Sequence, residues 1–298
     1  MFDQAVAELR TVRDWLRFAV SRFQAAGLHY GHGSQEAYDE AAYLILHTLH
    51  LPLDRLDPFL DARLLPDEAR QVAGILARRI DERLPAPYLT GEAWLHGFRF
   101  KVDPRVIVPR SFLAPLILDQ FLPWVMEPER IHATLDLCTG SGCLAILLAH
   151  AFPQARVDAV DLSPDALAVA RDNVADYGLT EQVSLVQSDL FTALAGRQYD
   201  LIVSNPPYVT ADAMAHLPQE YRHEPVMALA SGDDGLDALR VILAQAPAHL
   251  NPGGLLAVEI GHNRDAVEAA FPHLEFTWPE VDGGEDTLFV ISREQLIP

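Results

Sequence analysis

Ser204-Asn205-Pro206-Pro207-Tyr208 follows a short apolar run, Tyr199–Val203, that reads as a strand. A polar amide, two prolines and an aromatic ring at a strand end suit one chemical problem, a planar –NH2 group whose lone pair is delocalised. Such a nitrogen is a poor nucleophile, and no side chain is basic enough to deprotonate it in advance. A site can instead accept both of its N–H bonds, one on the side-chain oxygen of Asn205 and one on the backbone carbonyl of Pro206. That fixes the nitrogen in line with an incoming group and stabilises the positive charge growing on it. Pro206 and Pro207 hold the backbone rigid and donate no competing N–H. Tyr208 offers a flat face for a planar group. The competing structural reading is a stiff proline turn beside a core tyrosine. The motif specifies a planar –NH2 acceptor without choosing between adenine N6 and the side chain of glutamine.

The second chemical segment is Asp136-Leu-Cys138-Thr139-Gly140-Ser141-Gly142-Cys-Leu-Ala145. A strand runs into a glycine-rich turn that opens a helix, so backbone N–H groups at the positive end of the helix dipole face a ligand. Gly-x-Gly-x-x-Ala alone is shared with dinucleotide-binding folds. Asp136, four residues before the first glycine, favours a ligand with a cationic amino group, since a loop for pyrophosphate gains nothing from an added carboxylate. Asp161, nineteen residues after Gly142, ends the next strand where an acid accepts ribose hydroxyls. That residue suits NAD and S-adenosylmethionine equally. Asp189-Leu190 ends a third strand. There an acid either meets an adenine amino group, with Leu190 against the ring, or is an ordinary turn residue.

The elements that must position these groups alternate. Ala133–Leu137, Val157–Val160, Val183–Gln187, Leu201–Val203, Leu255–Ile260 and Leu288–Ile291 read as strands, and Cys143–Ala151 and Pro164–Tyr177 as helices. Strand, loop and helix in repetition predict a doubly wound, Rossmann-like α/β sheet whose ligands bind beyond the carboxyl ends of the strands. Upstream, Leu9, Val12, Leu16, Ala19 and Phe23 form one apolar helical stripe stopped by Gly27, and further helices fit Glu36–His50 and Pro66–Leu84. Between the two regions, Glu92–Leu95 and Phe98–Val102, turning at His96-Gly97, predict a β-hairpin. The expected organisation is a helical domain at 1–84, a hairpin bridge at 85–110 and a catalytic domain at 111–298.

Half of the residues are hydrophobic and no apolar run approaches the roughly 18 residues of a membrane span. The start, MFDQAVAELRTVRDW, has no apolar signal core. Cys138 and Cys143 are the only cysteines and lie too close together for a disulfide framework, which points to a cytoplasmic protein. His47 and His50 lie one turn apart without a third ligand at metal spacing, so no metal is expected. The formal charge of −20 argues against DNA or other nucleic acid as partner, because such binding relies on Lys and Arg neutralising phosphates. It favours a basic partner.

Together these segments resemble the HemK-type protein-(glutamine-N5) methyltransferases. The resemblance covers nearly the whole chain: the helical start, Pro85-x-x-Tyr88-Leu-Thr-Gly91-Glu92, Val108-Pro109-Arg110, Asp136–Gly142, Asn205–Tyr208, Glu224-Pro225, Asn251-Pro252-Gly253-Gly254 and Glu259-Ile260-Gly261. It implies S-adenosylmethionine as methyl donor and a cofactor site of Asp136, Cys138, Thr139, Gly140, Ser141, Gly142, Asp161, Leu162, Asp189, Leu190 and Asn205. It implies that Asn205, Pro206, Pro207 and Tyr208 hold the substrate glutamine, and that the helical domain docks the substrate protein. One branch of the family acts on release factors, whose enzymes continue the Pro-Arg motif with Pro-Asp-Thr. The other acts on large-subunit ribosomal protein three, and Pro109-Arg110-Ser111-Phe112-Leu113, Thr11-Val-Arg-Asp-Trp15 and Tyr30-Gly-His-Gly33 look like that branch. Cys138 departs from the glycine of many relatives. Arg110 reads as a clamp holding the bridge against the catalytic domain, as a contact to the cofactor end, or as a solvated cation, and Glu224 either as part of a loop over the substrate or as a surface acid.

The expected activity is thus methylation of a glutamine amide in a basic ribosomal protein. The same chemistry on release factors, an adenine N6-methyltransferase of nucleic acid, and an assembly factor without turnover are the alternatives.

Overall fold

The computed structural model describes residues 1–297 and divides the chain into two compact units. One comprises Met1–Ala93 together with Pro218–His223, and the other Trp94–Leu217 together with Glu224–Pro298.

The first unit is helical: α1 (Phe2–Glu8), α2 (Val12–Ala25), α3 (Ala37–Thr48), α4 (Pro66–Asp81) and the short α5 (Ala86–Thr90). The apolar stripe from Leu9 does not form one helix. Leu9 is extended, and Thr11 starts α2 with a capping box in which its hydroxyl accepts from the Asp14 N–H while the Asp14 carboxylate accepts from the Thr11 N–H. Trp15, Leu16, Phe23, Leu44, Ile45, Val72 and Leu76 fill the core. Arg79 is buried there with Glu40 at 2.7 Å, and Glu220 from the distant segment Gln219–His223 pairs with Arg83 at 3.0 Å and accepts from the His29 N–H. A buried carboxylate requires such partners. No periodicity in the sequence announces that six residues from between two later strands belong to the helical unit.

A hairpin of β1 (Glu92–Leu95) and β2 (Phe98–Lys101) turns at His96 and Gly97, both at positive φ, as a two-residue hairpin loop requires.

The second unit is built on one sheet of six strands, β3 (Ala133–Leu137), β4 (Arg156–Asp161), β5 (Val183–Gln187), β6 (Tyr199–Ser204), β7 (Leu250–Glu259) and β8 (Leu288–Ser292). Their order is β5-β4-β3-β6-β7-β8; all neighbours are parallel except β7 and β8. The strand direction of progression reverses between β3 and β6, and a doubly wound sheet opens its ligand crevice at that point. The Ser204 hydroxyl donates to the Leu137 carbonyl at 2.9 Å and ties the two strand ends together. Helix α6 (Leu113–Leu118) precedes the sheet, α7 (Cys143–Ala151) and α8 (Pro164–Asp176) follow β3 and β4, and α9 (Ala211–His216), α10 (Val226–Leu229) and α11 (Asp237–His249) separate β6 from β7. All of α7 except His150 is buried, as expected of an uninterrupted apolar helix packed on both sides. Helices α12 (Arg264–Ala270) and α13 (Arg293–Leu296) flank β8.

Candidate active site

A cavity of about 310 Å³ opens at the carboxyl ends of β3, β4, β5 and β6, at the lower end of the range for small-molecule sites. Cys138, Gly140, Asp161, Leu162, Asp189, Leu190, Asn205 and Pro207 line it, so residues from four separate loops converge. Asp136, Thr139, Ser141, Gly142, Pro206 and Tyr208 are not on its wall. Arg105, Ile107, Met227 and Val241 also line it; nothing in their spacing announces this, because they come from the bridge, α10 and α11.

The loop after β3 is held by acids. Asp136 is fully buried, and its Oδ2 accepts from the Thr139 hydroxyl at 2.6 Å and the Ala145 N–H at 3.0 Å, while its Oδ1 has no partner. Burial above all, with the charge of Asp161 adding, pushes the Asp136 carboxyl up to about 7 against the pull of those two hydrogen bonds. An unpaired buried carboxylate oxygen is costly and suits a cationic group that arrives later. Asp161 accepts from the Gly140 N–H at 2.8 Å and the Ser163 N–H at 2.9 Å. The Gly142 N–H goes to the Thr139 carbonyl. Thus N–H groups that a phosphate would use in this turn are already taken, two of them by carboxylates, which disfavours a pyrophosphate reading. Cys138 sits at φ 62, in the left-handed region that favours glycine. Gly142, at φ 82, lies so close to α8 that a Cβ would stand 3.2 Å from the Ala170 Cβ. Buried Asn173 fastens the same turn by donating to the Ser141 carbonyl at 2.8 Å.

The loop after β6 brings Asn205 and Pro207 to the cavity, and Tyr208 follows them. The Tyr208 carbonyl accepts from Asn263 Nδ2 at 2.7 Å, and its hydroxyl donates to Glu259 at 3.3 Å. Burial, with the negative charge of Glu259, raises the Tyr208 hydroxyl well above the ordinary phenol range, so it remains a donor. Arg110 and Glu224 form a two-pronged pair at 2.6 and 2.7 Å, and Glu224, with its side chain fully enclosed, also accepts from the Val108 N–H. Arg110 is therefore a clamp rather than a solvated cation, and Glu224 is no surface acid. Spacing alone could not reveal that pairing, which spans more than a hundred residues. Among the described residues no group of three His, Cys, Asp or Glu is placed to hold a metal ion. No helix among them is long and apolar enough to cross a membrane.

Comparison with known proteins agrees with this architecture. The Methyltransferase small domain family matches residues 119–232, the span holding both loops. The chain is 59% identical to the ribosomal protein uL3 glutamine methyltransferase of Neisseria meningitidis over 100% of its length and 98% of the relative's. It is 58% identical to the protein of that name from Bordetella pertussis over 97% of each chain. Among solved structures, the hMettl16 catalytic domain in complex with a MAT2A 3'UTR hairpin aligns at a TM-score of 0.51 and 16% identity, covering 80% of this chain and 84% of that one, a likeness of fold alone. Identity at this level over the full length, together with the two loops described, establishes that the chain belongs to the family of ribosomal protein uL3 glutamine methyltransferases.

Proposed function

We propose that the protein transfers a methyl group from S-adenosylmethionine to the side-chain amide nitrogen of a glutamine in large-subunit ribosomal protein uL3. The observation that carries this reading is the meeting of Asn205 and Pro207 with the Gly140–Asp161 loops in one cavity. The residues fit the donor: the free Oδ1 of Asp136 for its amino group, Asp161 for its ribose hydroxyls, and Asp189, Leu162 and Leu190 around its adenine. Cys138, Thr139, Gly140, Ser141 and Gly142 shape the turn beneath it. When bound, the donor supplies a methyl group on a positively charged sulfur, which needs no metal.

The side-chain oxygen of Asn205 and the Pro206 carbonyl accept the two N–H bonds of the amide, and Tyr208 gives its plane a wall. A nitrogen–carbon bond forms as the sulfur–carbon bond breaks, and the nitrogen then loses one proton. No base need act beforehand. The helical unit serves to dock the substrate protein, and two unpaired thiols, Cys138 and Cys143, suit a cytoplasmic reaction. Relatives named for uL3 methylation support that substrate over release factors. The charge of −20 supports a basic, rRNA-binding protein as partner, met free or nascent rather than on assembled rRNA.

The test is transfer of labelled methyl to purified uL3, a release factor and DNA offered separately, with peptide mass spectrometry to locate the label. Label on a uL3 glutamine is the expected outcome. Label on the release factor alone moves the protein to the sister substrate, and label on DNA adenine overturns the acceptor assignment.

A further inference from the structure

Tyr208, which follows the cavity-lining Pro207, is held from several sides. Gly261, at φ 56, lies against its ring; a Cβ there would stand 2.6 Å from Tyr208 Cε2. Gly235 leaves room for the Tyr208 carbonyl, which a Cβ would meet at 2.4 Å, and Asn263 donates to that same oxygen. The remaining restraint is on the hydroxyl, and it comes from Glu259 at the end of β7. Glu259 is 1% exposed. Its Oε2 accepts from the Ser111 hydroxyl at 2.6 Å and the Phe112 N–H at 2.9 Å, and its Oε1 accepts from Tyr208.

The charged groups around Glu259 make an acid there unexpected. Arg110, whose charge acts on Glu259, is engaged by both oxygens of Glu224, and Tyr208 and Ser111 are neutral donors. A buried carboxylate without a cation of its own costs stability, and burial drives the Glu259 carboxyl up to about 7 even with three donors aimed at it. A residue present only to fill volume would be better apolar.

We propose that Glu259 is a positioning residue for methyl transfer: through the hydroxyl of Tyr208 it fixes the aromatic wall against which the acceptor amide lies. The proposal rests on the acceptor role of Asn205–Tyr208 given above. Glu259 touches neither the cavity nor the reacting atoms. It grips Tyr208 with one oxygen and the Ser111-Phe112 turn with the other, so the segment after the bridge and the acceptor loop share one anchor.

The test is a double-mutant cycle in the intact protein, read as kcat and KM for uL3 at saturating S-adenosylmethionine and as the dissociation constant of S-adenosylmethionine. Glu259→Ala is expected to lower kcat about tenfold with cofactor affinity unchanged, and Glu259→Gln to recover most of that loss. In a Tyr208→Phe background, which lacks the hydroxyl, Glu259→Ala should cost less than about twofold more, because coupled groups are not additive. Where Glu259→Ala does not fold, Ser111→Ala loosens the same carboxylate from its other side, and its smaller loss in kcat should likewise vanish in Tyr208→Phe. Equal losses in both backgrounds, an unchanged kcat, or a loss confined to cofactor binding overturns the proposal. A wild-type protein that methylates no amide sinks the acceptor reading and this proposal with it, whereas additive losses with an active wild type sink this proposal alone.

Discussion

In the proposed mechanism Asn205 and Asp136 carry opposite tasks, and each makes its own prediction. On the proposed mechanism Asn205 supplies the side-chain acceptor for the amide, and removing one such hydrogen bond to developing charge typically costs about 10²–10³ in rate. Asn205→Ala should therefore lose that much of kcat in the labelled-methyl assay while its thermal unfolding stays within a few degrees of wild type, since Asn205 is only half-buried. If Asp136 receives the cationic amino group as proposed, it must be ionised, and burial pushes its carboxyl up to about 7. Cofactor binding should weaken as pH falls through about 7, and calorimetric titration of Asp136→Asn should show weak binding with that dependence gone. For stability without cofactor the sign is the reverse. Asp136 and Glu259 both favour the protonated form when folded, so their contribution is full below the ordinary carboxylate range and is lost as pH rises through about 7. The melting temperature of the cofactor-free protein should fall between pH 5 and pH 8, and saturating S-adenosylmethionine should lessen the fall by placing a cation on Asp136. A cofactor-free melting temperature that rises over that interval would falsify the shift.

Elements set these side chains in place, and they differ in how openly the sequence declares them. Strand β3 and helix α7 match the apolar runs residue for residue, because buried elements in a parallel sheet are near-continuous in Val, Leu, Ile and Ala. The glycine loop and the Asn-Pro-Pro-Tyr turn are equally legible, since local backbone chemistry dictates their composition. What the sequence hides is long-range pairing: Arg110 with Glu224, Tyr208 with Glu259, and Glu220 with Arg79 and Arg83. Charge pairs across a fold have no period, and either partner alone reads as a surface residue. The start of α2 was hidden for a different reason, as an apolar stripe at helical spacing continued across a capping box that breaks the helix. The Arg110–Glu224 pair is the element-scale test. Arg110→Ala leaves an enclosed carboxylate without its cation and should destabilise the protein by about 2–4 kcal/mol, the lower part of the range for buried pairs because the guanidinium is 24% exposed. Glu224→Gln added to Arg110→Ala should return part of that loss in chemical denaturation. An Arg110→Ala variant as stable as the wild type would show that the clamp contributes nothing.

At the scale of the whole molecule, the acidity is unevenly shared. Trp94–Leu217 with Glu224–Pro298 holds 27 Asp and Glu against 11 Lys and Arg, whereas Met1–Ala93 with Pro218–His223 holds 15 against 11. The negative field thus belongs chiefly to the unit that holds the cavity, and the helical unit is nearly balanced. A field of this kind raises the encounter rate with a basic protein and is screened over about 8 Å at physiological salt. Salt should therefore act on capture and leave the transfer step alone. Raising sodium chloride from 50 to 300 mM is expected to increase KM for uL3 several-fold, with kcat and the dissociation constant of S-adenosylmethionine changing by less than about twofold. A neutral glutamine peptide from the same substrate should show no such salt dependence. The same field repels rRNA, so free uL3 should be methylated faster than assembled large subunits at every salt concentration, and the gap should narrow as salt rises. Methylation that is faster on intact subunits, or a KM indifferent to salt, would remove charge as the basis of substrate choice and leave recognition to the shape of the two units.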